Sequence, residues 1–259
     1  PPCATPAIST GRRLARAVRA ALAAILCIAI VPHAASPLHA ADLTAREVSE
    51  VFHKAKMGER VDLSGKDLSF LDLAGIDFKG AVMSRANLFG VDLTNGNLRG
   101  ARLDGVMLDR AIVLRADFSG ANMEGASMMR PSVNTTLESN SQDAPKFAGA
   151  NLRHIRITAM RDGAEFRGAD LTGARMGPHE PRADISSMPG SLLRGCDFSG
   201  ATLNGADLMW AKLRFSKFIG ADMQGVNLAG ADLSMTDFSG ADLTGANLEG
   251  ADLDGTILR

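Results

Sequence analysis

From Leu63 to Val133, and again from Leu193 to Leu258, every fifth residue is Leu, Phe, Met or Val, and Gly, Ala, Asp and Asn dominate the positions between. Neither a helix, which repeats on about 3.6 residues, nor a flat strand, which alternates, can produce that period. The chain therefore reads as an array of five-residue units, clearest in ADLTGANLEGADLDGTIL from Ala241 to Leu258. The residue two places before each centre is small or apolar in most units, as at Ala81, Ala101, Ala121, Ala201 and Ala221, and the one just before is often Asp or Asn. Each unit thus offers one large and one small inward position, separated by polar outward ones.

A second period sits on the first. Phe occupies the centre at 118, 198, 218 and 238, with Phe78 and Leu98 preceding at the same interval of twenty, so four units make one turn. Extended through the middle, this column runs 78, 98, 118, 147, 166, 198, 218, 238 and 258, which requires two insertions and one deletion. The insertions fall at NTTLESNSQDAPK (Asn134 to Lys146) and GPHEPRADISSMPGSL (Gly177 to Leu192), both rich in residues that favour irregular backbone. Leu152, Ile157, Phe166, Leu171 and Met176 carry the stack between them.

Units such as Ala206-Asp207-Leu208, Ala231-Asp232-Leu233 and Ala246-Asn247-Leu248 resemble the A(D/N)LXX motif of the pentapeptide-repeat proteins over roughly residues 61–258. The resemblance implies an all-β fold: a right-handed quadrilateral β-helix of about nine coils whose centres stack in four columns. Some members of that family protect DNA gyrase with acidic rods that imitate DNA, a role the resemblance makes one to weigh for this chain. The physical logic agrees with the fold, because a five-residue unit cannot bury its own centre and relies on neighbours above and below. At a coil spacing of about 4.8 Å, nine levels give a rod on the order of 40 Å tall.

Ahead of the rod the chain divides in two. Arg12, Arg13, Arg16 and Arg19 precede the uncharged run Ala20 to Val31, and a small-residue stretch ends at Leu38-His39-Ala40-Ala41. Residues 1–40 have the form of a secretory leader with cleavage expected after Ala40, which places the mature protein in the periplasm or outside the cell. The apolar run is too short to span a membrane. Residues 41–60 read as a capping helix and linker: Thr44-Ala45-Arg46-Glu47 is a capping box, Val48, Val51, Phe52 and Ala55 share one face, and Gly58 is placed to end the helix. Such a helix would hide the floor of the first coil and its unpaired edges. No counterpart helix follows the last centre, and a homodimer through the C-terminal coil ends is expected.

Charge refines the picture without changing it. The formal net charge is −1, and loss of the leader's four arginines takes it to −5. Acids outnumber bases in the C-terminal third, whereas Arg110, Arg115, Arg130, Arg153, Arg156, Arg161 and Arg175 make the middle faintly basic. The aspartates at 197, 207, 222, 232, 242 and 252 belong to the repeat motif itself, where their oxygens can bond turn amides, so they argue for architecture before DNA mimicry. A net acidic chain with one Trp and no Tyr is not expected to bind nucleic acid.

Catalytic chemistry finds no convergent group of residues. No catalytic residue, cofactor or metal is expected; His179, Glu180 and Asp184 in the second insertion are the nearest thing to a ligand cluster. Cys196 occupies a small inward position two before Phe198 and reads as a buried small hydrophobe. The functional expectation is a non-catalytic exported scaffold that engages a protein partner, with the cytoplasmic gyrase-type DNA mimic and a purely structural envelope component as alternatives. Candidate contact residues are those that break the pattern outward: Trp210, where most units have Gly, together with Phe70, Phe89, Leu114 and Met129, and His179, Glu180 and Arg182 in the second insertion.

Overall fold

The computed structural model describes residues 41–56, 59–132, 141–158, 163–178 and 191–259. The leader, Gly58, Val133, the Asn134-Thr135-Thr136 triplet, Arg161, and His179, Glu180, Arg182 and Asp184 lie outside the described residues.

From Val61 onward the described residues form a four-sided parallel β-helix. The residue before each centre bridges the one a full coil later, in parallel register, as in Asp62↔Val82, Asn87↔Met107 and Asp207↔Asn227. Where the sequence spacing changes, the ladder follows it: Asp117 pairs with Lys146, Lys146 with Glu165, and Glu165 with Asp197. Each side is so short that among the described residues only two stretches extend to three paired residues, β1 (Ser127–Met129) and β2 (Arg156–Thr158), which pair in parallel. Hydrogen bonds run both ways along the stack: the Asn87 amide donates to the Lys66 carbonyl on one side and the Leu88 amide to Met107 on the other, at 2.9 and 2.8 Å.

Corners close the square. The carbonyl of a centre accepts from the amide three residues on, as Phe218 does from Ala221 at 3.0 Å. The third residue of each turn has a positive φ, which explains why Gly recurs there. The Asp or Asn before the centre secures the same turn: Asp197 Oδ1 accepts from the Ser199 amide at 2.9 Å, and Asp232 Oδ1 from Ser234 at 3.2 Å. Asp222 departs from this, because the Gln224 amide donates to Asn204 Oδ1 while Asp222 Oδ2 accepts from Asn204 Nδ2.

Inward, the core is a single dry axis. Phe118, Phe147, Phe166, Phe198, Phe218 and Phe238 lie one above another with ring centroids 4.7–5.2 Å apart and planes within 11° of parallel. Cys196 is fully buried at its small inward position. Beside it runs a feature the periodicity does not announce, a set of buried hydroxyls. Ser216 Oγ donates to the Leu193 carbonyl at 2.7 Å and accepts from the Cys196 amide at 3.3 Å, filling the place of the turn bond between those two residues. Thr236 Oγ1 donates to the Leu213 carbonyl at 3.1 Å.

Helix α1 (Ala45–Lys54) starts on the expected capping box, with Thr44 and Glu47 bonding each other's backbone amides. Val48 is buried, and Phe52 meets Phe78 edge-on at 4.9 Å, so the helix closes the floor of the first coil. The segment before it pairs with the coil edge, Asp42 N–H donating to the Asp67 carbonyl and Asp67 N–H to the Asp42 carboxylate. Two expectations need correction here. Val51 is 41% exposed, because it lies at the edge of the stripe set by Val48, Phe52 and Ala55. The helix also ends at Lys54, four residues ahead of Gly58, and is capped by an extended Ala55.

The insertions are narrower than their composition suggested. Ser141–Asp143 is a 3-10 turn, and Lys146 and Leu192 are already in the ladder, bridging Asp117 and Lys212. Leu114, expected outward, is 4% exposed: the returning insertion lies over that corner, where the Arg115 amide donates to the Asp143 carbonyl and the two side chains form an ion pair at 2.8 Å.

Candidate partner-binding face

The four sides differ in what they show to solvent. Three carry arginines paired with acids of the chain: Arg99 with Asp117 and Arg167 with Asp197 on one, Arg153 with Asp170 on a second and Arg115 with Asp143 on a third, at 2.7–3.2 Å. Burial pushes the carboxyls of Asp117, Asp170 and Asp197 upward. The hydroxyl and amide two residues on, together with the guanidinium, more than offset that and hold all three below the usual carboxylate range.

The side built on β1 and β2 is different. Phe70 and Phe89 meet edge to face at 5.3 Å, and the Arg110 guanidinium lies 5.8 Å over the Phe89 ring. Phe70 is 71% exposed, Met107 is exposed, and Phe89 and Met129 are half-buried. Above them follow Arg130, Arg156 and Arg175, and among the described residues none of the four arginines has a carboxylate within ion-pair distance. Arg156 Nη2 instead donates to Met129 Sδ at 3.2 Å.

This side also holds a cavity of about 290 Å³, lined by Met129, Arg156, Thr158, Arg175, Gly177, Pro178 and Asp207. Its origin is local. After Met176 the regular corner is lost: the Met176 and Gly177 amides both donate to the Asp207 carbonyl, and Pro178 has no amide to continue the ladder. Gly177 forms the floor, where a Cβ would stand 3.3 Å from the Asp207 carboxylate.

Of the residues singled out by sequence, Phe70, Phe89 and Met129 share this side, with Phe70 and Phe89 in contact and Met129 on the cavity wall. Trp210, 39% exposed, stands several coils farther on at the same corner and touches none of them. Sequence reading missed Phe215 and Met235, which are 52% and 48% exposed and occupy positive-φ corners as Trp210 does. The rule that singled out Trp210, a large residue where Gly belongs, would have found both.

The family model for pentapeptide repeats matches in eight copies, over residues 86–125, 191–228 and 221–259. With four such units to each square coil, the chain belongs to the pentapeptide-repeat proteins. Similar solved structures include HetL, a pentapeptide repeat protein involved in heterocyst differentiation regulation from the cyanobacterium Nostoc sp. strain PCC 7120. It is 24% identical, with 84% of this chain and 93% of that one covered and a TM-score of 0.45. Full-length QnrB1, a plasmid-mediated fluoroquinolone resistance protein, is 18% identical, with 77% and 92% covered and a TM-score of 0.37. A pentapeptide repeat protein of the Arabidopsis thaliana thylakoid lumen is 26% identical, with 51% and 78% covered and a TM-score of 0.28. No curated protein matches the chain significantly in sequence.

Proposed function

We propose that the protein is a non-catalytic exported scaffold that engages a protein partner through the side carrying β1 and β2. The observation behind this reading is the clustering on this side: here aromatic rings, methionines and four arginines without carboxylate partners face outward together, while Arg99, Arg115, Arg153 and Arg167 on the other sides are matched by acids within the chain. Exposed aromatic, Met and Arg side chains are what protein interfaces are enriched in. The acidic DNA-mimic alternative draws less support, because the motif aspartates are occupied by turn amides and several by arginines.

Capture from the native compartment tests the reading. The wild-type chain is expected to retain a protein that Phe89→Ala/Met129→Ala loses and that Lys79→Ala, on another side, keeps. Equal capture by all three would overturn it. Export rests on the leader motif, and the expected result is a mature protein whose N-terminal sequencing begins at Ala41; a chain retaining Arg12 and Arg13 in the cytoplasmic fraction would count against it. Self-association through the last coil belongs to the same proposal, since its centres Leu253 and Leu258 are 39% and 61% exposed. Light scattering at micromolar concentration would show twice the monomer mass, and a monomer removes the idea.

A further inference from the structure

We propose that the cavity between Arg156 and Arg175 is a receptor for one acidic side chain, the Asp or Glu carboxylate of a protein segment lying along this side. The inference deepens the reading above and rests on it. Arg156 and Arg175 bridge each other in the ladder, so their backbones are one coil, about 4.8 Å, apart and their side chains leave the same side in parallel. Two guanidinium forks at that spacing suit the two oxygens of a carboxylate.

Neither fork is satisfied within the chain. Arg156 leans on a thioether sulfur, a weak acceptor that a carboxylate oxygen readily displaces, and Arg175 has no ion pair among the described residues. The Thr158 hydroxyl adds a neutral donor, and Met129 and Pro178 give apolar walls against which side-chain methylenes can lie. Asp207 sets the charge preference. Its carboxylate lines the same cavity, leaving one net positive charge, which favours a monoanion over a phosphate dianion. At about 290 Å³ the space is at the small end for ligand sites and suits a side chain better than a cofactor.

The test uses the full chain and fluorescence anisotropy at about 150 mM salt, near the physiological screening length. The probes are two labelled decapeptides, one alternating Glu with Ala and the other Gln with Ala, and inorganic phosphate serves as competitor. The Glu peptide is expected to bind and the Gln peptide not to. Arg156→Gln/Arg175→Gln should weaken binding on the order of tenfold or more, while Arg102→Gln on another side leaves it unchanged. Phosphate should displace the peptide no better than chloride at equal ionic strength.

Unchanged affinity in the double variant overturns the proposal, as does displacement specific to phosphate, which would make this a phosphate site. If the double variant does not melt cooperatively, Arg156→Lys/Arg175→Lys decides: it keeps both charges but loses the forks, so a loss of affinity supports the proposal and equal affinity sinks it. The two readings fail separately. A partner lost by Phe89→Ala/Met129→Ala but kept by the glutamine pair defeats the receptor and leaves the binding side standing. Peptide binding that depends on the arginines, with capture indifferent to every variant, does the reverse.

Discussion

At the scale of single residues the corners carry the tightest constraints. Among the described residues ten that are not glycine adopt a positive φ at corners, including Phe70, His154, Trp210 and Met235. Several lie directly over the glycine one coil on: a Cβ at Gly90 would stand 2.8 Å from the Phe70 ring, at Gly173 2.6 Å from His154, and at Gly230 2.7 Å from Trp210. Gly230 is thus held by its own φ of 64° and by the indole above it. Gly230→Ala should cost roughly 1–3 kcal/mol in chemical denaturation, and Trp210→Ala in the same chain should return the part due to the ring. A purely additive double-mutant cycle would show that the indole plays no role. Ser216→Ala removes the buried hydroxyl that accepts from the Cys196 amide and donates to the Leu193 carbonyl, and should cost about 1–3 kcal/mol.

At the scale of the coil, stability comes from identical centres meeting along a column. Phe218 lies between Phe198 and Phe238 with its ring nearly parallel to both. Phe218→Ala should therefore cost roughly 3–5 kcal/mol, and Phe218→Asp, which buries an unpaired charge, should abolish the cooperative melt followed by circular dichroism. These columns were legible in the sequence because the centre of each unit is filled only by large apolar residues, and one slip in the count would put Asp or Gly on the axis. The capping box was legible for a related reason, since both of its members are local. Leu114 was not, because what covers it arrives from the far end of an insertion, and no local pattern encodes that return. The cavity was equally hidden. Arg156 and Arg175 become neighbours only once a nineteen-residue coil replaces the regular twenty, and Asp207 joins them across an insertion.

Across residues 41–259 the carboxylates set the response to acid. Asp117, Asp170 and Asp197 have folded values held down by turn hydroxyls, amides and arginines that outweigh burial. The stability they supply is complete above the ordinary Asp value of about 3.9 and is lost as pH falls through the lowered folded values. The melting temperature should accordingly change little between about pH 7 and 5 and fall below about pH 4. A steady decline across the neutral range would assign the pH response to other groups. Salt should trim only a small part of this stability, because the arginine partners are largely exposed.

The overlap of each large corner side chain with the glycine beyond it gives the array a direction in which it can be lengthened. Tandem duplication of residues 223–242 would set Gly230 beneath another glycine and Met235 beneath another methionine, a seam no more crowded than that of Phe215 and Met235 in the present chain. Duplication of residues 203–222 would seat one indole on another where a bare backbone is required. Growth by copying whole coils is open at one level of this molecule and closed at its neighbour.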